Sequence, residues 1–224
     1  MFSLQQPDGR FRVASRIEPY YKQVLEQIRA LPGVSAVAVV TGAPLLGTSD
    51  GMPFTIVGTT VADPSQRPGA GFQSISPVYF RTFGIRVVKG RQFNQTDTAT
   101  SPRVAMVNEE FVKEYLKQRD PLNTRLSIEQ INPTVQKLGE AVEWQIVGVF
   151  HNVRSFGLRA DQPEIDAPFP QSPLPSVTIG LRSTGNPAES GAAVKEGNLL
   201  HRPEYRGLTS EHNERGQRST VHRR

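Results

Sequence analysis

Cysteine is absent from all 224 residues. That excludes disulfides, thiolate metal sites and cysteine nucleophiles together. It leaves the compartment open, because a chain of this length can bury a core without covalent staples. Long apolar runs are lacking too. The most apolar stretches, Val34–Val40 and Ile146–Phe150, have strand length and fall far short of the ~18 residues of a membrane span. The opening MFSLQQPDGR has no basic segment followed by an apolar one, so no signal peptide is visible. No G-x-x-x-x-G-K-S/T occurs, which excludes the ATP-binding phosphate loop. Gly69-Ala70-Gly71 is followed by Ser74 where a dinucleotide fingerprint needs its third glycine, and it precedes a strand instead of following one.

What is present describes a folded, turn-rich chain. Hydrophobic residues make up 37% and aromatics 8%, too much for a disordered polymer. The 19 glycines and 18 prolines call for many turns without reaching a low-complexity composition. The net charge of +5 is unevenly placed: six arginines and three glutamates lie between His201 and Arg224, so the body is nearly balanced. A nucleic-acid domain would gather its positive charge on one folded face. Only Tyr205, Leu208 and Val221 are apolar in that last stretch, which therefore reads as a disordered basic tail.

Periodicity places the elements. Ser15 and Glu18 fit a capping box, and Ile17, Tyr20, Tyr21, Val24, Leu25, Ile28 and Leu31 form one helical stripe that ends at Pro32-Gly33. Val34–Thr41 follows as a strand apolar on both faces. Further strands are expected at Pro53–Val57, Phe72–Ser76, Ile85–Lys89, Val104–Val107, Arg125–Ile128, Glu143–Val153 and Val177–Arg182. Ser76-Pro77 opens a short helix through Phe83, and Asn108 caps another over Glu109–Lys117. Asp63–Gly71 and Asp120–Asn123 are turn chemistry, and Asn132–Ala141 is a flexible excursion. Ala167–Phe169 is a short extended piece, and Asn186-Pro187 starts a weak helix. Short strands alternating irregularly with helices indicate an α+β fold.

Few residues offer chemistry. His151 is the only histidine outside the tail, and a catalytic role would need an orienting acceptor and a nucleophile within reach. His201, His212 and His222 are too widely spaced for a zinc site. Glu109 and Glu110 are adjacent on a helix and point about 100° apart, so they form no dyad. They suit a first helical turn instead. The loop Gly42–Gly51 carries Leu45 and Leu46, which either tuck into the core or form a contact surface.

Eight segments in order carry a family resemblance. They are Tyr20–Val37 (YYKQVLEQIRALPGVSAV), Thr41–Leu46 (TGAPLL), Ile75–Gly84 (ISPVYFRTFG) and Val88–Phe93 (VKGRQF). Val104–Tyr115 (VAMVNEEFVKEY), Asp120–Leu126 (DPLNTRL), Trp144–Gly157 (WQIVGVFHNVRSFG) and Pro163–Gln171 (PEIDAPFPQ) complete them. Over about residues 15–190 the chain resembles the MacB-like periplasmic core domain, the extracytoplasmic domain of a group of ABC-transporter permeases. The resemblance implies an α+β, two-lobed fold. A membrane-proximal βαβ-type, porter-like lobe would hold residues 1–60 with 165–195, incomplete here. A mixed α+β lobe, 61–164, would be inserted in it, and 196–224 would be the disordered basic tail.

The resemblance further implies no catalytic, cofactor-binding or metal residues and no enzyme activity. The role would be to transmit ATP-driven motion and contact partners on the periplasmic side of the membrane during efflux or export. The implied partners are an ABC ATPase subunit or domain and the permease membrane helices. A homodimer is allowed, and nucleic acid is not expected. The family's membrane helices are missing, the strand before the first helix is reduced to Phe2–Leu4, and the text after about Ser190 departs from the pattern. A truncated or frame-shifted gene product is the expectation from these departures. On the residues alone two rivals stay open: a small soluble enzyme with a site near His151, and a nucleic-acid or membrane-surface binder using the tail.

Overall fold

The first apolar stripe becomes α1 (Ala14–Arg29), which starts one residue before the expected cap and carries Pro19 inside it. The computed structural model describes residues 2–5, 14–42, 50–60, 63–132, 137–153, 161–184 and 208–210. Ile17, Tyr20, Tyr21, Val24 and Ile28 of α1 are buried against Val37 and Val39 of β2 (Val34–Val40) and Val177 and Ile179 of β10 (Ser176–Ser183). Each such side chain gains roughly 1.5–3 kcal/mol over exposure. The Tyr21 hydroxyl donates to the Pro175 carbonyl at 2.7 Å, so the phenol's polar end is satisfied. The alternate residues of β2, Ala38 and Val40, face a second cluster. A strand buried on both faces is what its uninterrupted valines require.

β2 and β10 pair antiparallel, and β10 pairs in turn with β1 (Phe2–Gln5). β11 (Leu208–Ser210) lies on the outer side of β1. These four strands form an arm. Of the tail expected to be disordered, only that short strand is described; the rest of 196–224 lies outside the described residues, as does the helix expected at Asn186.

The remaining strands close on themselves. β3 (Asp50–Ile56) pairs antiparallel with β4 (Gly69–Ile75) and with β7 (Arg125–Asn132). β7 pairs antiparallel with β8 (Lys137–Phe150), and β8 runs parallel to β6 (Val104–Asn108). β6 pairs antiparallel with β9 (Glu164–Pro168), and β9 returns parallel to β4. Six strands thus make a closed barrel, which leaves no free edge within the ring. Its interior holds Met52, Phe54, Phe72, Leu126, Trp144 and Ile146 among others. A single pair, Val40 with Ile75, joins the barrel to the arm through the sheet.

One barrel end is plugged by a helical turn. α3 (Glu109–Phe111) passes directly into a π-helical turn, Val112–Leu116, where a single α-helix over Glu109–Lys117 was expected. Phe111 and Leu116 enter the barrel core, and Phe111 lies 4.9 Å from the Phe54 ring. Lys117 ends the turn at φ 53°, a positive value unusual for a residue with a Cβ.

A second helix bolts arm to barrel. α2 (Tyr79–Phe83) ends on Gly84, whose φ of 71° suits glycine. Ser76 does not cap it as expected; its hydroxyl instead accepts from the Val39 amide at 3.0 Å, tying α2's approach to β2. Phe80 packs on Phe150 at 5.2 Å, and Arg182 of β10 donates to the Thr82 carbonyl at 3.1 Å.

Other expectations shift in their bounds. The glycine-rich Gly69–Gly71, expected as turn, belongs to β4, where β3 and β9 supply its pairing partners. Most of the supposed excursion 132–141 is the β7–β8 hairpin; its tip, 133–136, lies outside the described residues. The extended piece near Ala167 proves to be β9, central to the barrel. β5 (Val87–Gly90) pairs with β8 beside the ring. The whole is a mixed fold, dominated by sheet and with few helices.

Candidate functional site

The segments that carried the resemblance converge on fold geometry. In Val88–Phe93, Lys89 pairs with Asp120 at 2.7 Å, and Asp120 also caps the 3₁₀ turn Pro121–Asn123. Gly90 turns the chain at φ 75°. Arg91 reaches Asp97 through two hydrogen bonds of 2.8 Å each. Burial disfavours the Asp97 charge, yet the Arg91 guanidinium and the Asn94 amide outweigh it and hold Asp97 below the usual carboxylate range. Phe93 then enters the cluster shared with α2. Two motifs far apart in sequence are therefore one clamp around β8.

Asn108 is a second junction. It is fully buried, and its Oδ1 accepts from the amides of Phe111 and Glu164, both at 2.9 Å. Its Nδ2 donates to the Gln162 carbonyl at 2.7 Å. It caps the plug, as expected, and also fixes the start of β9. Asn108→Ala is expected to lower the unfolding free energy by about 2–4 kcal/mol, since two buried amides and the Gln162 carbonyl lose their bonds at once. Urea titration checks this; a loss under about 1 kcal/mol would mean that the junction carries no such weight.

His151 follows β8 and is flanked by charge. Its Nδ1 lies 2.5 Å from Glu109 Oε2, and its Nε2 contacts the Arg86 guanidinium. The orienting acceptor that a catalytic histidine needs is thus present. Both His151 and Glu109 are about two-fifths exposed, and Arg86 takes the ring position where a nucleophile would have to stand. Glu110 faces away and pairs with Lys113 at 2.8 Å, as the helical geometry requires. His201, His212 and His222 lie outside the described residues, and so do Leu45 and Leu46 of the Gly42–Gly51 loop.

Two features escaped the sequence reading. One is a cleft of about 500 Å³ at the barrel end where β3 begins. Met52 and Phe72, which belong to the barrel core, line it with Ile131, Lys137, Leu138 and Pro175. Leu138 is half exposed. The lining comes from β3, β4, the β7–β8 hairpin and the approach to β10, so no local pattern marks it. The other is a pair of buried carboxyls, Glu164 and Asp166, exposed by 1% and 0%. The Gln73 amide donates to Glu164 at 2.8 Å, and neither Asp166 oxygen has a donor. Their alternation in Pro163–Pro168 was the one available signal. Burial to this degree closes the pair to any substrate. Among the described residues, no group of three or more His, Asp or Glu is placed to hold a metal, and no helix is long and apolar enough to cross a membrane.

Comparison with known proteins follows the same outline. A family model described as the MacB-like periplasmic core domain matches residues 2–196. The periplasmic region of MacB from Actinobacillus actinomycetemcomitans superposes with a TM-score of 0.56 at 14% identity, over 91% of this chain and 85% of that one. The extracellular domain of the noncanonic ABC-type transporter YknZ from Gram-positive bacteria also gives 0.56, at 11% identity, over 92% and 96% of the two chains. A search of curated proteins finds no match.

Proposed function

The chain belongs to the family of MacB-like periplasmic core domains, and from that premise we propose that its work is mechanical: it relays conformational change and contacts partners on the extracytoplasmic side of an ABC-type export permease. The family is a transporter's periplasmic domain and not an enzyme class. The match over residues 2–196 carries the reading. It is supported by the use of the motif residues, which clamp strands, cap turns and fill cores. ATP would be hydrolysed by a separate ABC subunit or domain, with motion arriving through membrane helices.

We also propose that motion is relayed between two lobes. One is the membrane-proximal part, about 1–60 with 165–195; the other is the inserted part, about 61–164. Strand pairing suggests drawing the divide so that β3 and β9 go with the barrel and β1, β2, β10 and α1 with the arm. The arm and barrel meet through the β2–β4 strand pair, through α2 and through the cluster that Ala38 and Val40 share with Met106 and Phe150, and this join is where the tilt would pass.

These 224 residues hold no cysteine, so an introduced pair has no competitor within them. A cysteine pair introduced across the join, one on α2 and one on β10, would lock it when oxidised. In the chain assembled with its membrane helices and ATPase, oxidation is expected to abolish transport and leave ATP hydrolysis running, with reduction restoring transport. Full transport in the locked state would refute the relay. His151→Ala is expected to leave transport unchanged; its abolition in a normally folded variant would favour the enzyme reading.

A further inference from the structure

Glu164 and Asp166 lie two residues apart on β9, so their side chains leave the same face of the strand. That face is the outer one of the barrel, because Ile165 and Ala167 point into its core. It is nevertheless dry. On one side stands Gln73 of β4, in register with Asp166; on the other stands Met106 of β6. Tyr79 of α2 is packed in the same cluster as Met106, fully buried, with no hydrogen-bond partner for its hydroxyl. The titratable groups acting on Asp166 are thus Glu164 on its own strand and Tyr79 on α2, while Gln73 and Met106 carry no charge. Nothing cationic acts on Asp166 among the described residues.

An anionic Asp166 here would have no water and, unless Glu164 kept the proton, no donor, a costly state. Its proton is therefore part of the packing. α2, whose Tyr79 shares the Met106 cluster and lies within electrostatic reach of both carboxyls, is the helix bolted to both the arm and the barrel. Arg182 reaches its Thr82 carbonyl, Phe83 lies against Gly180 of β10, and Phe80 packs on Phe150 of β8.

We propose that the Glu164–Asp166 pair is a proton-dependent latch: α2 is seated while the pair keeps a proton, and loss of that proton loosens α2 from the join between arm and barrel. The sign of this dependence follows from linkage. Burial first, and the Glu164 charge second, push Asp166 well above the usual carboxylate range. The stabilisation is therefore complete below about pH 4, where the unfolded chain is protonated as well. It declines as pH rises from there to the folded-state value, by up to about tenfold in the folding constant per pH unit.

The test compares the full chain with Asp166→Asn between about pH 5 and about pH 8. Two quantities are read: the unfolding equilibrium, and hydrogen exchange of the Tyr79–Phe83 amides corrected for intrinsic rates. The wild-type folding constant is expected to drop at least about tenfold relative to the variant across that interval. The α2 amides should lose protection before those of β6, and the variant should keep them. Parallel pH profiles, or α2 protection that falls no faster than that of β6, would overturn the latch. Should Asp166→Asn fail to fold, carboxyl-carbon NMR titration of the wild type decides. A side-chain carboxyl still protonated at about pH 6 supports the latch, and titration of every carboxyl below about pH 5 overturns it.

Discussion

Gly90→Ala is expected to cost at least about 3 kcal/mol, enough to unfold a domain of ordinary stability under mild denaturant. Two penalties coincide. The residue sits at φ 75°, where a Cβ is strained by about 1–2 kcal/mol. The added carbon would also press on the Val147 carbonyl oxygen and come within 2.8 Å of Leu122 Cδ2 and 2.9 Å of Gly148 Cα. Two of those three neighbours are backbone of β8, which is held by β6 on its far side. The turn is held too, because Lys89 and Arg91 are anchored to Asp120 and Asp97. Gly58→Ala is the control. It has φ 83° but open space around it, so strain alone should appear, about 1–2 kcal/mol. Equal losses for the two variants in urea titration would contradict the close approach of β5 to β8.

Phe111→Ala is the second large effect, a loss of about 3–5 kcal/mol. Phe111 is fully buried at the plugged end of the barrel, with the Phe54 and Tyr115 rings 4.9 and 5.1 Å away. The π-helical turn holds it in place, so neighbouring side chains cannot easily close the space left behind. The indole of Trp144 shares this core, and its emission should shift toward that of a wetter environment. Val88→Ala, at an exposed edge position, should change stability by less than about 0.5 kcal/mol. A Phe111→Ala loss that small would mean that the helical turn only rests on the barrel.

Most elements were legible because their signals are local. The stripe from Ile17 to Ile28 can only be a helix with one wet face, and the valines of β2 demand cover on both sides. Asn108 is a cap by chemistry and acts as one, and Asp120–Asn123 is the turn its residues call for. The misjudged places were those where a partner overrides the local preference. Gly69–Gly71 looks like loop until β9 and β3 offer it hydrogen bonds. Residues 137–141 lack an apolar run because both faces of that hairpin arm are exposed. Ser76 is built like a cap, yet a β2 amide lies within its reach. His151 showed the same limit: its neighbours Glu109 and Arg86 come from elements far away in the chain.

From its residues alone, then, the chain determined its periodic elements, their caps and the order of motifs by which it belongs to its family. All of these depend on side chains a few positions apart. Closure of six strands into a barrel, the clamp around Gly90, the cleft at the β3 end and the burial of Asp166 were decided only by the tertiary structure. Each of these needs groups tens of residues apart to meet, and the free energy of such a meeting lies in shape and in the exclusion of water, which no short stretch of sequence encodes.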